Sequence, residues 1–165
     1  MPIRKTNKGW YWGSRGPFDT KAKAVQVGQA AHASGFNEEA RMNNRAGEFI
    51  GTLLHSAVLT HIMHLSVKGV GSYSQHKALQ EYYEAIPGLA DTVAESIQGC
   101  YGELITDYPT AYANTKLDPL AYIVKLQEYV KTTREDLPGE SQIQNEIDNI
   151  ATLIDSTLYK LRFLS

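Results

Sequence analysis

From about residue 40 onward, apolar residues recur at steps of three and four, which is the spacing of one face of an α-helix. The first such stretch predicts a long helix over residues 40–68, with an apolar stripe made of Ala46, Phe49, Ile50, Leu53, Leu54, Ala57, Val58 and Ile62. Residues 69–71, Gly-Val-Gly, then predict a turn. A second helical stretch begins near Ser72 or Ser74, and Pro87-Gly88 is expected to kink or interrupt it before it resumes.

Two further helices are predicted in the C-terminal part of the chain. Asp118 can cap the first of them, with Pro119 at its first position, and Leu137-Pro138-Gly139 marks its end. The last helix has the most regular apolar stripe, formed by Ile143, Ile147, Ile150, Ala151, Ile154, Leu158 and Leu161. Four helices with one apolar face each predict an all-α, antiparallel four-helix bundle over residues 37–165.

The first 36 residues have a different pattern. Gly13-Ser14-Arg15-Gly16 is a turn signal, and it is surrounded by the aromatic residues Trp10, Tyr11, Trp12 and Phe18, which together predict a β-hairpin. Asp19-Thr20 is a candidate N-cap for an alanine-rich helix that would end at Gly35. Residues 1–36 are therefore predicted to form a small ββα unit, which is too small to bury much surface alone and should dock on something.

Composition and net charge indicate the cellular compartment of the protein and the partners that it can bind. The chain has 165 residues, 42% hydrophobic and 21% charged, with no run that approaches the roughly 20 apolar residues of a membrane span. We therefore expect a soluble protein that does not bind membranes. The single Cys100, expected to be a small buried residue, cannot form an internal disulfide, which fits an intracellular setting. Because the formal net charge is −2, nucleic-acid binding is not predicted, although the opening segment is locally basic.

Candidate chemistry is concentrated in two short segments. His61 and His64 are three residues apart, with His76 just beyond the predicted turn, and Asp91 and Glu95 are four residues apart. Imidazole and carboxylate together suit iron, zinc or manganese. The simpler interpretation is a set of hydrogen-bonded core histidines and a solvated acidic face. Their combination favours a site, because an unpaired polar group in an apolar stripe costs about 1–3 kcal/mol.

Helix geometry restricts how the two segments can meet. Asp91 lies fifteen positions after His76, which is about 22 Å along a continuous helix, and metal bonds of about 2.0–2.2 Å cannot bridge that gap. His64 and His76 can instead approach each other across the turn at residues 69–71. A shared site therefore needs either a sharp fold-back at Pro87-Gly88 or a second chain, and a two-fold dimer would create two equivalent sites.

The spacing His64-x11-His76-x14-Asp91-x3-Glu95, within a four-helix pattern, resembles the Dps-like mini-ferritins of the ferritin-like family. The resemblance implies that His64 and His76 of one subunit and the partner subunit's Asp91 and Glu95 bind iron at a homodimer interface, with His61 as a nearby polar residue. It also implies a ferroxidase activity that passes electrons from Fe(II) to peroxide or oxygen. The family further assembles into dodecameric shells, so a dimer or a higher homo-oligomer is expected.

Two segments resemble bacteriophage proteins. WYWGSRGPFDTKAKAVQVGQAAHASGF is similar to a short module of tailed-phage proteins, and LLHSAVLTHIMHLSVKGVGSYSQHKALQEYYEAI resembles uncharacterised ferritin-like phage proteins. Both imply a phage gene and a location in the host cytoplasm or the virion. The alternative is a structural or virion-associated protein that uses the bundle without redox activity and docks on other phage proteins through its N-terminal aromatic residues. The same aromatic residues could instead form the core of that small unit.

Overall fold

The computed structural model describes residues 3–6, 8–12, 15–109 and 118–164, and it divides into two compact units, Met1–Arg41 and Met42–Ser165. Within the described residues the order of elements is three strands followed by four α-helices, with a short 3-10 helix at Arg134–Asp136. The elements are β1 (Ile3–Thr6), β2 (Gly9–Trp12), β3 (Arg15–Phe18), α1 (Lys21–Ser66), α2 (Ser72–Tyr101), α3 (Pro119–Thr133) and α4 (Ser141–Phe163).

The N-terminal unit contains a three-stranded antiparallel sheet in the order β1-β2-β3. The predicted hairpin is confirmed as the β2–β3 pair, in which Trp10 lies opposite Phe18. The prediction of two strands is wrong, because the short segment Ile3–Thr6 also pairs with β2. Only one of its four residues is strongly apolar, so it gives little strand signal by itself. The turn residues 13 and 14 and the side chain of Trp12 lie outside the described residues.

Helix α1 begins where the sequence indicates and continues further than predicted. The Thr20 hydroxyl accepts a hydrogen bond from the Lys23 backbone N–H at 3.2 Å, which confirms a cap at this position. The predicted end at Gly35 is wrong, since one helix spans Lys21–Ser66. A glycine inside a helix costs only about 1 kcal/mol relative to alanine, and the alanine, glutamate, arginine and methionine residues that follow favour helix.

The second unit is built from the latter part of α1 and from α2, α3 and α4. Helix α2 runs antiparallel to α4, because Glu81 near its start pairs with Lys160 near the end of α4, while Tyr101 at its end donates a hydrogen bond to Glu140 just before α4. Helix α3 is also antiparallel to α4, because Arg134, just after α3, pairs with Asp148 at 2.9 Å, whereas the earlier Gln127 donates a hydrogen bond to the later Asp155 at 2.6 Å. Helices α2 and α3 therefore run in the same direction.

Helix α1 completes this arrangement by packing beside both α2 and α3. The Tyr82 hydroxyl and Ser56 Oγ of α1 are 2.7 Å apart, and the Phe49 ring stacks on Tyr129 of α3 with centroids 6.1 Å apart. Because α1 and α2 are joined by only a short turn, they are antiparallel neighbours. Each helix thus has two antiparallel neighbours, in the cyclic order α1, α2, α4, α3.

The connection between α2 and α3 is long because these two helices run in the same direction. It leaves α2 at Gly102 and must reach the opposite end of the unit before α3 begins at Pro119. Its first part is held on α1, where Asn43 both donates to the Leu104 carbonyl at 3.1 Å and accepts from the Thr106 backbone N–H at 3.3 Å. The described part of the connection therefore follows the surface of α1.

A single apolar core joins the four helices of the second unit. The predicted stripe of α4 is confirmed, and its fully buried side chains are Ile143, Ile147, Ile150, Ile154 and Leu158. Asp118 caps α3 as predicted, with its carboxylate accepting from the Ala121 N–H at 3.1 Å and Pro119 in the first turn. The predicted stripe of α1 is only partly correct, because Ala46, Phe49, Ile50 and Leu53 are buried while Leu54, Val58 and Ile62 are exposed.

Helix α2 is continuous from Ser72 to Tyr101, so the predicted interruption at Pro87-Gly88 is wrong. Proline removes one backbone hydrogen bond and crowds the carbonyl four residues earlier, at a cost of about 3 kcal/mol in a helix interior. Burial of Ile86, Ala90 and Val93 on both sides of Pro87 offsets that cost and keeps the two halves in one helix. Cys100, near the end of α2, is exposed rather than buried.

Candidate metal centre

His64 and His76 face each other across the turn between α1 and α2, as the sequence predicts. Their rings are stacked, with centroids 3.5 Å apart and an interplanar angle of 27°. Gly69 and Gly71 both have positive φ, 93° and 76°, which allows the chain to reverse direction within a few residues. His64 is 7% exposed and His76 is half-buried, so this pair lies at the edge of the core.

Each of these two histidines contacts the backbone of the other. His64 Nδ1 is 2.9 Å from the His76 carbonyl oxygen, and His76 Nδ1 is 3.3 Å from the His64 carbonyl oxygen. A carbonyl can only accept, so both Nδ1 atoms are the donors. In a neutral imidazole this leaves Nε2 without a proton and with a free lone pair, which is the form that binds a metal.

His61 and Tyr83 complete an aromatic cluster around the pair. The His61 ring stacks on Tyr83 with centroids 4.1 Å apart, while its centroid is 5.8 Å from that of His64. Tyr83 also meets His64 edge-on at 5.2 Å. Tyr83 was not predicted to belong to the site, although it lies seven residues after His76 and therefore on the same face of α2.

Asp91 and Glu95 are exposed on α2 and lie far from the histidines of the same chain. Since α2 is continuous, His76 and Asp91 are about 22 Å apart along its axis. Within the described residues, no group of three or more His, Cys, Asp or Glu side chains is close enough to hold a metal ion. The fold-back that could have joined all four residues in one chain is therefore absent, and only a second chain can bring the two pairs together.

The connection between α2 and α3 passes near Asp91. Burial raises the pKa of Tyr108, and the nearby Asp91 carboxylate raises it further, which places this phenol close to one of the candidate ligands. The Asn44 side chain donates to Asp107 at 2.7 Å and fixes the preceding residue of the connection on α1. Asp91 therefore lies near Tyr108 of the connection and is exposed to solvent.

The exposed side of α1 next to the histidines is unusually apolar. Four residues at helical spacing form what we call the outer stripe of α1: Leu54, Val58, Ile62 and Leu65, which are 37%, 56%, 55% and 73% exposed. By length and composition alone, the segment Met42–Ser66 is apolar enough to cross a membrane, with a mean hydropathy of 1.2. The opposite side of the same segment packs into the core, which is the arrangement of a core helix.

The fold and the site define a helical protein in which the α1–α2 hairpin brings two histidines into contact. Two carboxylates lie further along α2. The chain belongs to the family of unknown function DUF5856, whose model matches residues 64–161. This match begins at His64 and contains His76, Asp91 and Glu95.

A second comparison places a relative in a bacteriophage. The chain is 25% identical over 118 residues to the uncharacterized 14.6 kDa protein in the mobD-ri intergenic region of Enterobacteria phage T4, which covers 72% of this chain and 88% of the relative. The resemblance to phage proteins is thus confirmed at the level of the family. Neither description names a ferritin or an iron-binding protein, and no solved structure matches the chain.

Proposed function

We propose that this phage-family protein is a ferritin-like, Dps-like iron-binding protein whose metal site forms between two copies of the chain. The observation that carries the proposal is the reciprocal contact of His64 and His76. Their Nδ1 atoms are held by backbone carbonyls, so both Nε2 atoms would be left to bind a metal. Asp91 and Glu95 of the partner subunit would supply the carboxylates, and His61 would be a neighbouring polar residue.

The order and direction of the helices support the ferritin-like part of this proposal. Two antiparallel helix pairs, α1–α2 and α3–α4, are joined by one long connection between parallel helices, from Tyr101 to Pro119. Ferritin-like bundles differ from simple up-and-down bundles by having one such crossover. His64 is buried at the edge of the core, His76 is half-buried, and Asp91 and Glu95 are exposed on α2, so a second copy would approach the site from the exposed side of α2.

The positions of the candidate ligands along α2 are compatible with a two-fold dimer. Asp91 is about 60° and Glu95 about 100° around the helix from His76, so the three residues share one side of α2. A two-fold axis level with Tyr83 and Glu84, midway between His76 and Asp91, would bring the partner subunit's Asp91 level with His76. The corresponding midpoint for Glu95 lies only about 3 Å further along the helix.

The outer stripe of α1 supplies a surface for such a dimer. The 2.7 Å contact between Ser56 and Tyr82 shows that Leu54 and Val58 lie near the level of the proposed axis. A row of exposed apolar side chains on one helix is what a pairing surface of a soluble helical protein requires. Pairing through this stripe would place the histidine pairs and the carboxylate pairs at the edges of the same interface.

The side chains fit iron in their chemistry, since neutral imidazole and carboxylate are both ligands of this metal. When bound, iron would supply the redox chemistry by passing electrons to peroxide or oxygen. The chain itself would hold the imidazole rings in a fixed tautomer, partly exclude water from His64, and offer carboxylates that favour the more highly charged oxidised ion.

Iron binding is tested with variants that separate ligation from folding. Asparagine keeps an amide N–H near the position of histidine Nδ1 but has no Nε2, so His64→Asn/His76→Asn should preserve the backbone contacts and remove the ligands. We expect protein purified from iron-supplemented cells to contain iron and to oxidise Fe(II), and this variant to do neither. Equal iron content in both proteins, at equal helicity, would contradict the proposal.

The dimer geometry is tested with a pair of introduced cysteines at the level of the axis. In a Cys100→Ser background, Glu84→Cys lies on the same side of α2 as His76, and Ala85→Cys is its control, about 100° further around the helix. Oxidation should link two chains through residue 84 much faster than through residue 85. Equal cross-linking at the two positions would show that this side of α2 does not pair.

A further inference from the structure

One end of the second unit is formed by the turn between α1 and α2, the first residues of α3 and the last residues of α4. The ion pair of Glu81 with Lys160 places the end of α4 beside the start of α2. Lys68 of the turn and Pro119, the first residue of α3, line one shallow pocket, so α3 also begins at this end. We call this surface the turn end of the second unit.

The turn end exposes large apolar side chains that lie outside the core. Val70 is fully exposed, and the four others are 53–76% exposed: Tyr73, Tyr159, Phe163 and Leu164. The rings of Tyr159 and Phe163 contact each other, with centroids 5.6 Å apart. Single exposed apolar residues are ordinary on a protein surface, whereas a group of them at one place marks contact with a partner or a membrane.

The charges at the turn end are predominantly basic. Neither residues 49–80 nor residues 156–165 contain an aspartate or a glutamate. Asp118, at the start of α3, uses its carboxylate to cap that helix. Three exposed cations form no ion pair with any residue that the structure describes: Lys68, Lys77 and Arg162. The exposed apolar side chains are therefore accompanied by positive charge.

The opposite end of the second unit is acidic. It is formed by residues 42–48, 95–108 and 134–148, which together have nine acidic and two basic side chains, a net charge of −7. The charge of this unit is thus separated along the direction of its helices. A negatively charged surface would attract the turn end and repel the other end, which fixes the orientation of approach.

We propose that the turn end binds the surface of an anionic lipid membrane. Apolar side chains and tyrosine rings enter the boundary between headgroups and acyl chains, while lysine and arginine meet the lipid phosphates. The expectation that the protein does not bind membranes rests on the lack of a spanning segment in the sequence, and a contact with the membrane surface needs none. The proposal requires neither iron nor a dimer.

Vesicle sedimentation with the metal-free full chain tests this proposal. Vesicles that contain phosphatidylglycerol should bind the protein at low salt, and vesicles of phosphatidylcholine alone should not. Each cation near an anionic membrane strengthens binding about fivefold, so Lys68→Gln/Arg162→Gln should weaken it about 25-fold. Val70→Ser/Phe163→Ser should weaken it roughly tenfold or more. All four side chains are exposed, and circular dichroism verifies that the variants keep their helices.

Two control variants match these changes at other places in the second unit. Lys125→Gln/Lys131→Gln removes two exposed charges from α3, and Leu104→Ser removes an exposed apolar side chain from the acidic end. Both should bind anionic vesicles as the wild-type protein does. Absence of binding at low salt, or equal weakening in the controls and the turn-end variants, would overturn the proposal.

A polarity-sensitive dye shows which end of the unit meets the lipid. In a Cys100→Ser background, the dye is attached to Val70→Cys or, as a control, to Leu104→Cys. Anionic vesicles should shift its emission to the blue at position 70 and leave it unchanged at position 104. A blue shift of equal size at both positions would overturn the proposal. Binding to a soluble polyanion such as heparin, with no binding to vesicles, would overturn it as well.

Discussion

Gly47 of α1 lies against the backbone of the connection between α2 and α3, so a substitution there tests the path of that connection. A Cβ atom added there would lie 2.0 Å from the Asp107 carbonyl oxygen and 2.8 Å from the carbonyl carbon. Both are backbone atoms, so no side-chain rotation can relieve the clash. Gly47→Ala must therefore displace the connection from α1 and weaken the hydrogen bond between Asn44 and Asp107.

The expected magnitude follows from two opposing effects. Replacing a helical glycine by alanine stabilises a helix by about 1 kcal/mol, whereas forced displacement of packed atoms costs about 1–3 kcal/mol and undoes the contacts of the connection. For Gly47 the distances are far below any normal contact, so the second effect dominates. We expect a net loss of about 1–2 kcal/mol, which lowers the melting temperature by about 2–8 °C in a chain of this size.

Gly88→Ala is the matched control, since Gly88 also lies inside a helix but a Cβ atom there would meet nothing within 4 Å. This control should raise the stability by up to about 1 kcal/mol. Chemical and thermal unfolding, followed by circular dichroism, would measure both variants. If Gly47→Ala were as stable as Gly88→Ala, the connection could not lie on α1 as described.

Three further predictions concern the core, a surface pair and the proposed dimer. Tyr82→Phe should lower the free energy of unfolding by about 1 kcal/mol, because the buried hydroxyl bonds Ser56 at 2.7 Å; an unchanged denaturant midpoint would refute this. The hydrogen bond to Glu140 raises the pKa of Tyr101 to about 12, so the folded state holds this proton more tightly than the unfolded chain. The associated stability should be present below about pH 10 and be lost as the pH rises toward 12, and Glu140→Gln should lower the pKa measured by phenolate absorbance. Val58→Lys, on the exposed outer stripe, should shift the protein from dimer to monomer in solution mass measurements, and a variant that remains dimeric would exclude the stripe as the pairing surface.

Much of the helical part of the fold could be predicted from local patterns. The α4 stripe and the Asp118 cap follow from spacing and side-chain chemistry that act within one turn of helix. Gly35 and Pro87 gave wrong boundaries, because the cost of a glycine or proline in a helix is only about 1–3 kcal/mol, and flanking helix formers or buried neighbours can offset it. Sequence patterns give the cost of such residues but not the packing that compensates for it.

The candidate site was predictable only in part. The approach of His64 to His76 follows from the glycine turn between them, which is local information. The reciprocal contacts with the backbone carbonyls depend on how α1 and α2 pack, and the ring of Tyr83 enters the cluster for the same reason. Spacing alone also left open a fold-back at Pro87, and the continuity of α2 removes that alternative.

The central claim, that one site is shared by two chains, is most directly tested by complementation. His64→Asn/His76→Asn lacks the imidazole ligands, and Asp91→Asn/Glu95→Gln lacks the carboxylates, so neither protein alone should bind iron. When the two are co-expressed in equal amounts, half of the dimers combine one chain of each kind and regain one of their two sites, which restores about a quarter of the wild-type iron content. Recovery near that level is the predicted result, and a co-expressed mixture that binds no more iron than either variant alone would contradict the account.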